Sequence, residues 1–366
     1  MSAGNRARVL VAGAGIVGRS AAYYLARSGV SVVVADRDSS PSVTTRASLG
    51  VLTRPTGGQD PFSSFYRDAH SLHERLSGQL REETGLDAGW RPLGGLDLAL
   101  DEGEAEALRS RLEENLSRGV RGEWLEEGRL REAEPALSES AAGAAFYPGD
   151  QRVDPPTLAS VLQRAAEGRG ARFRFGVAVG GLRPAPGGVE CDLHEGGGSR
   201  RATFDAAVIA AGSWSADFDG PAAGRLRVRP VRGQSCLFAG GPVRHVLRCS
   251  GGNVLPAPGG LLVGGTVEET GFDARTTPAA HQELSALCGR VLARPPVLRE
   301  QRAGLRPKPP QGRPLIGPVP GADNLWAATG HYRNGILMGP LTGRVLARWI
   351  TRGDPGREMS PFRVDR

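Results

Sequence analysis

The stretch RVLVAGAGIVGRSAAYYLARSGVSVVVAD, residues 8–36, decides the fold. It opens with an apolar run in which apolar and polar residues do not alternate as they would in a half-exposed strand. Such a run is typical of a buried parallel strand. A turn with Gly13, Gly15 and Gly18 follows, then apolar residues at helical spacing, then a second β-branched run ending at Asp36. A strand, a glycine turn, a helix and a second strand in this order predict a dinucleotide-binding βαβ unit.

Each glycine of this turn has a mechanical role in such a unit. Gly13 permits the tight turn, Gly15 lets a pyrophosphate approach the backbone, and Gly18 lets helix and strand pack closely. The helix N-terminus faces the phosphates with its partial positive charge, and Asp36 accepts hydrogen bonds from a ribose. A glycine turn without a ligand is the alternative. The turn does not say which dinucleotide binds, but the small and hydroxyl residues at 43–50 suit close contact with a planar ligand.

Length and composition exclude several classes of protein. The chain has 366 residues, enough for two layered units, and its 39% hydrophobic and 23% charged residues exclude a wholly disordered chain. No apolar run approaches the ~20 residues needed to cross a bilayer. The apolar stretch after Arg6 and Arg8 is better interpreted as a strand and glycine turn than as a signal peptide. We therefore expect a cytoplasmic protein with no membrane partner.

The basic residues and the cysteines indicate neither nucleic acid nor metal. The net charge is +7, but Lys308 is the only lysine, and the arginines are interleaved with acidic residues rather than clustered. The four cysteines are far apart, with no CxxC pair and no neighbouring histidines, so neither disulfides nor a zinc site follow. We expect buried thiols in a reducing compartment, and no metal.

The middle of the chain predicts a second layer around the first. Residues 57–145 are interpreted as mainly helical and strongly charged. Residues 152–170 predict another amphipathic helix with Asp154 as N-cap. Residues 182–200 predict a solvent-facing β-meander, and residues 226–275 are β-rich and suited to a sheet that covers a pocket.

The carboxyl-terminal part carries the sharper hypothesis. AGLRPKPPQGRPLIG (303–317) precedes LWAATGHYRNGILMGPLTGRVLARWI (325–350), which predicts a strand, a loop at Gly330 and His331, and a helix. His331 has no evident catalytic partner and is interpreted as structural. Arg306 and Arg333 are candidates to clamp a carboxylate between two guanidinium groups. The alternative is that both are surface arginines.

Several motifs, taken together and in order, resemble the FAD-dependent amine oxidases of the D-amino-acid oxidase superfamily, and most of all its glycine oxidase branch. They are GAGIVG with Asp36, TTRASLGVL, VDPPTL, AAVIAAGSWS, VRPVRGQ, VGGTVEETGFD, GLRP and GHYRNGILMGPLTG. The resemblance implies an α/β, two-domain fold, in which a Rossmann-like FAD-binding domain is interwoven with an antiparallel-sheet substrate domain. The FAD-binding domain would comprise residues 1–84, 150–218 and 312–366, and the substrate domain residues 85–149 and 219–311.

The resemblance also implies the positions that contact FAD. The adenine half would lie at the glycine turn and Asp36, and the amides of Asn334 to Leu337 would face the pyrimidine edge of the flavin. A helix N-terminus suits that edge, because the reduced flavin is negative there. The residues expected to contact FAD are Gly13, Gly15, Ile16, Val17, Gly18, Asp36, Arg37, Thr44, Thr45, Arg46, Ala47, Leu49, Gly50, Val51, Val179, Ala211, Gly212, Trp214, Arg306, Arg333, Asn334, Gly335, Ile336 and Leu337.

The reaction implied is the oxidation of an amine next to a carboxylate. Arg333 is the expected carboxylate anchor, with Arg306 as its neighbour, and both are the expected catalytic residues. A hydride leaves the carbon between carboxylate and amine for the flavin, the imine hydrolyses, and molecular oxygen becomes hydrogen peroxide. The partners would be a small amino acid or secondary amine and oxygen, and the resemblance implies a homo-oligomer.

Four positions depart from the glycine oxidase pattern. Asn253 replaces a substrate-contacting tyrosine, Val51 a methionine, Arg302 an aromatic residue before AGLRP, and Gln311 an aspartate. Asn253 and Val51 are thus expected to contact the substrate in a roomier, more polar pocket. A larger N-substituted glycine from specialised metabolism and glycine itself, as the imine source for thiamine synthesis, both remain open.

Comparison with other members of the superfamily leaves alternatives for the attachment of the flavin and for the function. Covalent flavin attachment uses a cysteine, and none follows Cys288, so FAD is expected to bind noncovalently. Lys308 is expected in a proline-rich loop, solvated rather than activating oxygen. The rival functions are a dehydrogenase with another acceptor, a flavin monooxygenase, for which a second flavin motif is missing, and a non-catalytic protein that kept the scaffold.

Overall fold

Nineteen strands and eight helices are described in a computed structural model that covers residues 7–38, 42–240, 243–294 and 296–365. The helices are α1 (Ile16–Arg27), α2 (Val43–Ala47), α3 (Pro61–Thr84), α4 (Glu102–Ser117), α5 (Glu127–Ala133), α6 (Pro155–Glu167), α7 (Pro278–Val291) and α8 (Gly335–Arg352). The strands are β1 (Arg8–Ala12), β2 (Ser31–Asp36), β3 (Val51–Leu52), β4 (Gly95–Ala99), β5 (Glu123–Glu126), β6 (Gly143–Tyr147), β7 (Gln151–Arg152), β8 (Arg172–Phe175), β9 (Ala178–Ala185), β10 (Gly188–Glu195), β11 (Gly198–Phe204), β12 (Ala206–Ile209), β13 (Arg229–Ala239), β14 (Val246–Cys249), β15 (Gly252–Ala257), β16 (Gly260–Gly264), β17 (Val297–Lys308), β18 (Leu315–Val319) and β19 (Ala322–Thr329).

A six-stranded sheet in the order β18-β19-β12-β1-β2-β8 forms around the amino-terminal strand. Strands β19, β12, β1, β2 and β8 are parallel to one another, and β18 is antiparallel to β19. Four of the five residues of β1 are fully buried, because β1 lies inside the sheet and both of its faces are covered. The predicted βαβ unit is therefore confirmed.

Helices α1, α6 and α8 pack together on one face of this sheet. The contact between α1 and α8 is close because Gly343 faces the backbone of Ser20, where any side chain would collide. Asp154 caps α6 by accepting a hydrogen bond from the Thr157 amide (3.2 Å), as the sequence predicts.

An eight-stranded sheet in the order β17-β13-β16-β15-β14-β4-β6-β5 forms the second layer. Its neighbouring strands are antiparallel, except for the parallel pair β14 and β4. Helix α7 packs on one face, where Leu284 and Leu287 join a hydrophobic core with Leu247 and Val263. The other face looks toward the first sheet.

The two sheets alternate along the chain. Residues 8–36, 172–209 and 315–329 supply the six-stranded sheet, whereas residues 95–147 and 229–308 supply the eight-stranded one. The two-domain α/β fold expected from the resemblance is confirmed, while the domain limits given above stay a prediction.

One local expectation is confirmed and another is wrong. Residues 57–145 are mainly helical, with α3, α4 and α5, and they also contain β4, β5 and the start of β6, because short buried runs such as GLDLA complete the second sheet. Lys308 is the last residue of β17 and not part of a loop; its ammonium lies 3.6 Å from Glu269.

The predicted β-meander is confirmed as the three-stranded sheet β11-β10-β9, although one of its faces is buried. Within the described part of the chain, all four cysteines are free thiols. None of the helices described here is both long and apolar enough to cross a membrane. Nor do the described residues group three or more metal-ligating side chains.

Candidate active site

A cavity of about 970 Å³ lies between the six-stranded and eight-stranded sheets. It begins at the glycine turn after β1, passes α2 and the N-terminus of α8, and reaches the inner face of β13 to β17. Its volume is at the upper end of the range for ligand-binding sites.

The glycine turn has the shape that a pyrophosphate requires. Gly13 has a φ of +111°, and a Cβ there would lie 2.5 Å from the Ala210 oxygen. A Cβ on Gly18 would collide with the carbonyl oxygen of Gly13. At Gly15, by contrast, a Cβ would meet nothing closer than the Ser42 hydroxyl at 3.7 Å. Gly13 and Gly18 are thus needed by the fold, whereas Gly15 leaves space that opens into the cavity.

The start of α1 has amides available for an anion. Gly15 is the N-cap residue and has no capping side chain, and the first turn contains no acidic residue. The Ile16 amide donates to the Thr45 hydroxyl (3.3 Å). Asp36 accepts hydrogen bonds from the Ala14 amide (2.6 Å) and the Asp38 amide (2.9 Å), which fixes the turn beside this helix end. These features fit the phosphate and ribose part of FAD.

The central part of the cavity is held by hydroxyl groups. Thr44 and Ser213 each donate a hydrogen bond to the Leu305 carbonyl at 3.0 Å, which connects α2 and the turn after β12 to β17. Gly212 has a φ of +57°, and a Cβ there would meet no atom within 4 Å, so its backbone borders open cavity. Helix α8 begins with Asn334 as N-cap, again without a side-chain cap or an acidic residue in its first turn.

Most residues expected to contact FAD line this cavity. Gly18, Arg46 and Leu337 do not. Gly18 faces the Gly13 carbonyl, and Arg46 turns outward to Glu300 (2.7 Å). Leu337 is buried, and its carbonyl contacts His73 (3.0 Å). The residues on the cavity wall are Gly13, Gly15, Ile16, Val17, Asp36, Arg37, Thr44, Thr45, Ala47, Leu49, Gly50, Val51, Val179, Ala211, Gly212, Trp214, Arg306, Arg333, Asn334, Gly335 and Ile336.

Arg306 is placed by the backbone of the eight-stranded sheet. Its guanidinium lies over Gly233 of β13, where a Cβ would coincide with it, and its Nη1 donates to the Thr266 carbonyl (2.8 Å). Burial lowers the pKa of Arg306, and the nearby charge of Arg333 lowers it further. Both arginines therefore lie at one end of the cavity, as the sequence predicts.

Arg333 differs from Arg306 in its surroundings. It is exposed, and its guanidinium carbon lies 5.4 Å from the ring centre of Tyr332. Tyr332 has a φ of +49°, the left-handed conformation that non-glycine residues rarely adopt. Such a strained backbone is common at functional sites.

Glu268, the carboxylate whose charge acts on Arg306, is bound by other groups. Glu268 accepts from the Arg232 guanidinium (2.6 and 3.0 Å) and from the Gln234 side-chain amide (2.9 Å). The Thr266 hydroxyl also donates to Glu268 (3.0 Å). This network holds the segment that carries the Thr266 carbonyl and leaves the charge of Arg306 for a ligand.

Of the four departures from the glycine oxidase pattern, Asn253 and Val51 line the cavity and Arg302 and Gln311 do not. Arg302 pairs with Glu300 at 2.6 Å, and Gln311 is exposed beyond the end of β17. The prediction that Arg302 and Gln311 contribute to a roomier, more polar pocket is therefore wrong, because both residues lie outside the cavity wall.

The structure adds wall residues that were not singled out. Gln234, Thr266 and Tyr332 stand within motifs quoted above, so those motifs could have identified them as cavity residues. Tyr66, Arg248, Cys249 and Glu283 carry no sequence signal and line the cavity only through the fold. Burial raises the pKa of Cys249 to about 11, which keeps this thiol protonated and a poor nucleophile.

His331 is buried beside the N-terminus of α8. Its Nε2 lies 3.0 Å from the Thr342 hydroxyl, and burial lowers its pKa to about 3. The ring is therefore neutral at physiological pH, in line with the structural interpretation.

A glycine turn suited to a nucleotide lies at one end of the cavity, and two arginines, one on β17 and one in the turn before α8, lie at the other. This arrangement is typical of a dinucleotide-dependent oxidoreductase built from two interwoven layers. Residues 8–349 match the family described as FAD dependent oxidoreductase, and the chain belongs to that family. It is 31% identical to a glycine oxidase of Geobacillus kaustophilus, over 99% of this chain and 97% of the relative.

Solved structures agree with this assignment. The crystal structure of glycine oxidase from Geobacillus kaustophilus superimposes with a TM-score of 0.88 at 28% identity and covers 98% of both chains. That of iminodiacetate oxidase from Chelativorans sp. BNC1 has a TM-score of 0.85 at 29% identity, covering 97% of this chain and 98% of the other. The protein is thus an FAD-dependent enzyme similar to glycine oxidases.

Proposed function

We propose that the protein oxidises the C–N bond of glycine or an N-substituted glycine, with molecular oxygen as electron acceptor. The observation that carries this proposal is Arg306, a half-buried cation at the cavity wall. Glu268, the carboxylate whose charge acts on Arg306, is already bound to Arg232. A half-buried cation in this position favours a ligand carboxylate, and Arg333 adds a second charge from the same end.

The chain's own residues bind and orient the substrate. Arg306 and Arg333 hold the carboxylate, and the cavity wall between them and α8 fixes the adjacent carbon. The start of α8, which no side chain caps, provides partial positive charge for an electron-rich ring edge. FAD, when bound, supplies the acceptor for the hydride of that carbon.

The balanced reaction takes R–NH–CH₂–COO⁻, oxygen and water to the amine R–NH₂, glyoxylate and hydrogen peroxide. The imine forms as the C–H bond breaks, and water then cleaves the C=N bond. His331 is neutral and hydrogen-bonded to Thr342, so it is not assigned as a base. A substrate amine that enters neutral needs no further proton acceptor for this step.

Noncovalent binding of FAD is part of the proposal. Cys249 is the cysteine on the described cavity wall, and its raised pKa disfavours attachment to the ring. Denaturation in acid should therefore release all of the flavin into the supernatant.

The proposal is tested by anaerobic bleaching of the purified flavoprotein with glycine, sarcosine, D-alanine, D-proline and larger N-carboxymethyl amines. We expect bleaching by one or more of the glycine derivatives, and one hydrogen peroxide formed per oxygen consumed when air is admitted. Bleaching without oxygen consumption would indicate a dehydrogenase. A firmly bound flavin that none of these compounds bleaches would refute the proposal.

A further inference from the structure

Beside the eight-stranded sheet, the cavity wall carries polar groups that the carboxylate anchor does not use. They are Tyr66, Arg248 and Asn253, which we call the polar end. Tyr66 comes from α3 and the other two from β14 and β15, so only the fold brings them to one cavity.

Arg248 and Asn253 are neighbours on the cavity face of the sheet. They are directly opposite each other in the antiparallel pair β14 and β15, which brings their Cβ atoms to about 5 Å. Val246, two residues before Arg248, projects to the same face and belongs to a buried cluster against which Leu49 and Val51 pack. Both of these side chains line the cavity as well.

Arg248 is fixed by an ion-pair cluster. Its Nε donates to Asp97 (2.5 Å) and its Nη2 to Asp150, while Arg54 donates to Asp150 (3.1 Å) and Asp97 (3.0 Å). Gly95 makes room for this cluster, since a Cβ there would collide with Asp150. Two arginines balance two aspartates, so the cluster presents donors without net charge.

Donors and acceptors remain unused at the polar end. Nη1 of Arg248 is buried and has no hydrogen-bond partner among the described residues, while the side chain as a whole is 19% exposed. The Tyr66 hydroxyl donates to the Thr53 carbonyl (3.1 Å), which leaves its oxygen as an acceptor. The Asn253 side chain offers both an N–H donor and a carbonyl acceptor.

The polar end lies too far from Arg306 for glycine to reach both. The Arg306 guanidinium lies over β13, and the registers Ser235–Gly264 and Asn253–Gly264 place Asn253 two strands away. Two strand spacings amount to about 10 Å. A substrate bound at Arg306 needs a chain of several atoms on its nitrogen to reach Asn253.

We propose that the substrate is an N-substituted glycine whose substituent ends in an uncharged group that both donates and accepts hydrogen bonds, as a primary carboxamide does. This inference rests on the proposed function for the orientation of the substrate, with its carboxylate at Arg306. Tyr66, Arg248 and Asn253 then bind the distal group, and the balanced charges of the ion-pair cluster disfavour a second carboxylate.

Three secondary amines of equal size test the proposal on the holoenzyme: N-(2-carbamoylethyl)glycine, N-(2-carboxyethyl)glycine and N-(3-methylbutyl)glycine. We expect kcat/KM for the carboxamide to be at least tenfold higher than for the other two. Asn253→Leu should reduce this advantage to threefold or less. Asn324→Leu is the matched control, since Asn324 is exposed and outside the cavity wall, and it should leave the advantage intact.

Binding is measured separately with ethers that cannot be oxidised in the same way, (2-carbamoylethoxy)acetate and (3-methylbutoxy)acetate, by calorimetry on the holoenzyme. Tighter binding of the carboxamide ether supports the polar end even if no amine is oxidised, in which case the proposed function fails alone. If both ethers bind equally well and glycine or sarcosine is oxidised, the proposal that the polar end binds a carboxamide is wrong, while the proposed function still holds. A preference for the carboxylate amine also overturns it, in favour of a charged subsite.

Discussion

The two ends of the cavity are built in different ways. At the glycine turn, backbone atoms form the wall, and each glycine there either avoids a backbone collision or leaves space open. At the other end, side chains from β13, β15 and β17 form the wall, and Arg306 takes its position from Gly233 and the Thr266 carbonyl. The comparison teaches that a glycine can shape a site either directly or by making room for a charged side chain.

The largest expected effect separates two glycines of the same turn. Gly18→Ala places a methyl group against the Gly13 carbonyl and should destabilise the protein by about 3 kcal/mol or more, with loss of FAD. Gly15→Ala should cost the apoprotein no more than about 1 kcal/mol, yet weaken FAD binding at least tenfold, because its methyl group enters the cavity. Urea unfolding and flavin fluorescence measure the two effects. Equal destabilisation by both substitutions would contradict the assignment of Gly18 to the fold and Gly15 to the cofactor site.

The second prediction concerns the other end of the cavity. Gly233→Ala should displace the Arg306 guanidinium and raise KM for a carboxylate substrate about 30- to 100-fold, the usual worth of a charge-assisted hydrogen bond. In an Arg306→Ala background the same substitution should have almost no further effect, because the displaced group is gone. Gly289→Ala, where a Cβ meets no atom within 4 Å, is the control. Additive effects of Gly233→Ala and Arg306→Ala would exclude the positioning role.

Stability below neutral pH should depend on the buried imidazole of His331. Burial lowers its pKa in the folded state to about 3, whereas the unfolded chain has a value near 6.5. The unfolded state therefore binds more protons as the pH falls below 6.5, and stability falls by roughly 2 kcal/mol by pH 5 from this residue alone. His331→Gln should remove this contribution, while that of the buried His73, whose pKa burial lowers to about 4, remains. Substitution of the exposed His194 by Gln should change nothing. Urea titrations of the wild type and both variants, repeated between pH 7 and pH 5, measure the free energy of unfolding and test this prediction.

Arg333→Ala should raise KM at least tenfold while FAD stays bound, since a lost charge-assisted contact costs ~1.5–3 kcal/mol. Absorbance spectra of the purified variant and steady-state kinetics measure the two quantities. An unchanged KM would remove Arg333 from the site and assign the carboxylate to Arg306 alone.

The smallest effect is expected where sequence and structure disagree. Arg302→Tyr and Gln311→Asp restore the residues common in glycine oxidases, yet both positions lie outside the cavity wall. KM for any substrate should stay within about twofold, because the Arg302–Glu300 ion pair is partly exposed and lies outside the cavity wall, where such a pair contributes little. A larger change at either position would show that the cavity as described is incomplete.

The cofactor end could be predicted from the sequence because it is local. Gly13, Gly15 and Asp36 stand within one βαβ unit, whose spacing fixes their arrangement. Arg306 and Arg333 were found because each stands in a recognisable motif. Arg248 and Tyr66 could not be found, since their meeting depends on the register of β14 and on how α3 packs. The strands β4 to β6 were missed for a related reason: their partners are far along the chain.

The single lysine allows selective chemical labelling of the protein. Lys308 is its only side-chain amine, and it lies at the end of β17, two residues beyond Arg306, with its ammonium 5.8 Å from the ring centre of Tyr332. An amine-directed fluorophore would therefore attach, apart from the amino terminus, at one known place beside the substrate end. The folded enzyme thus carries a built-in attachment point from which ligand binding can be followed optically, without introducing a cysteine.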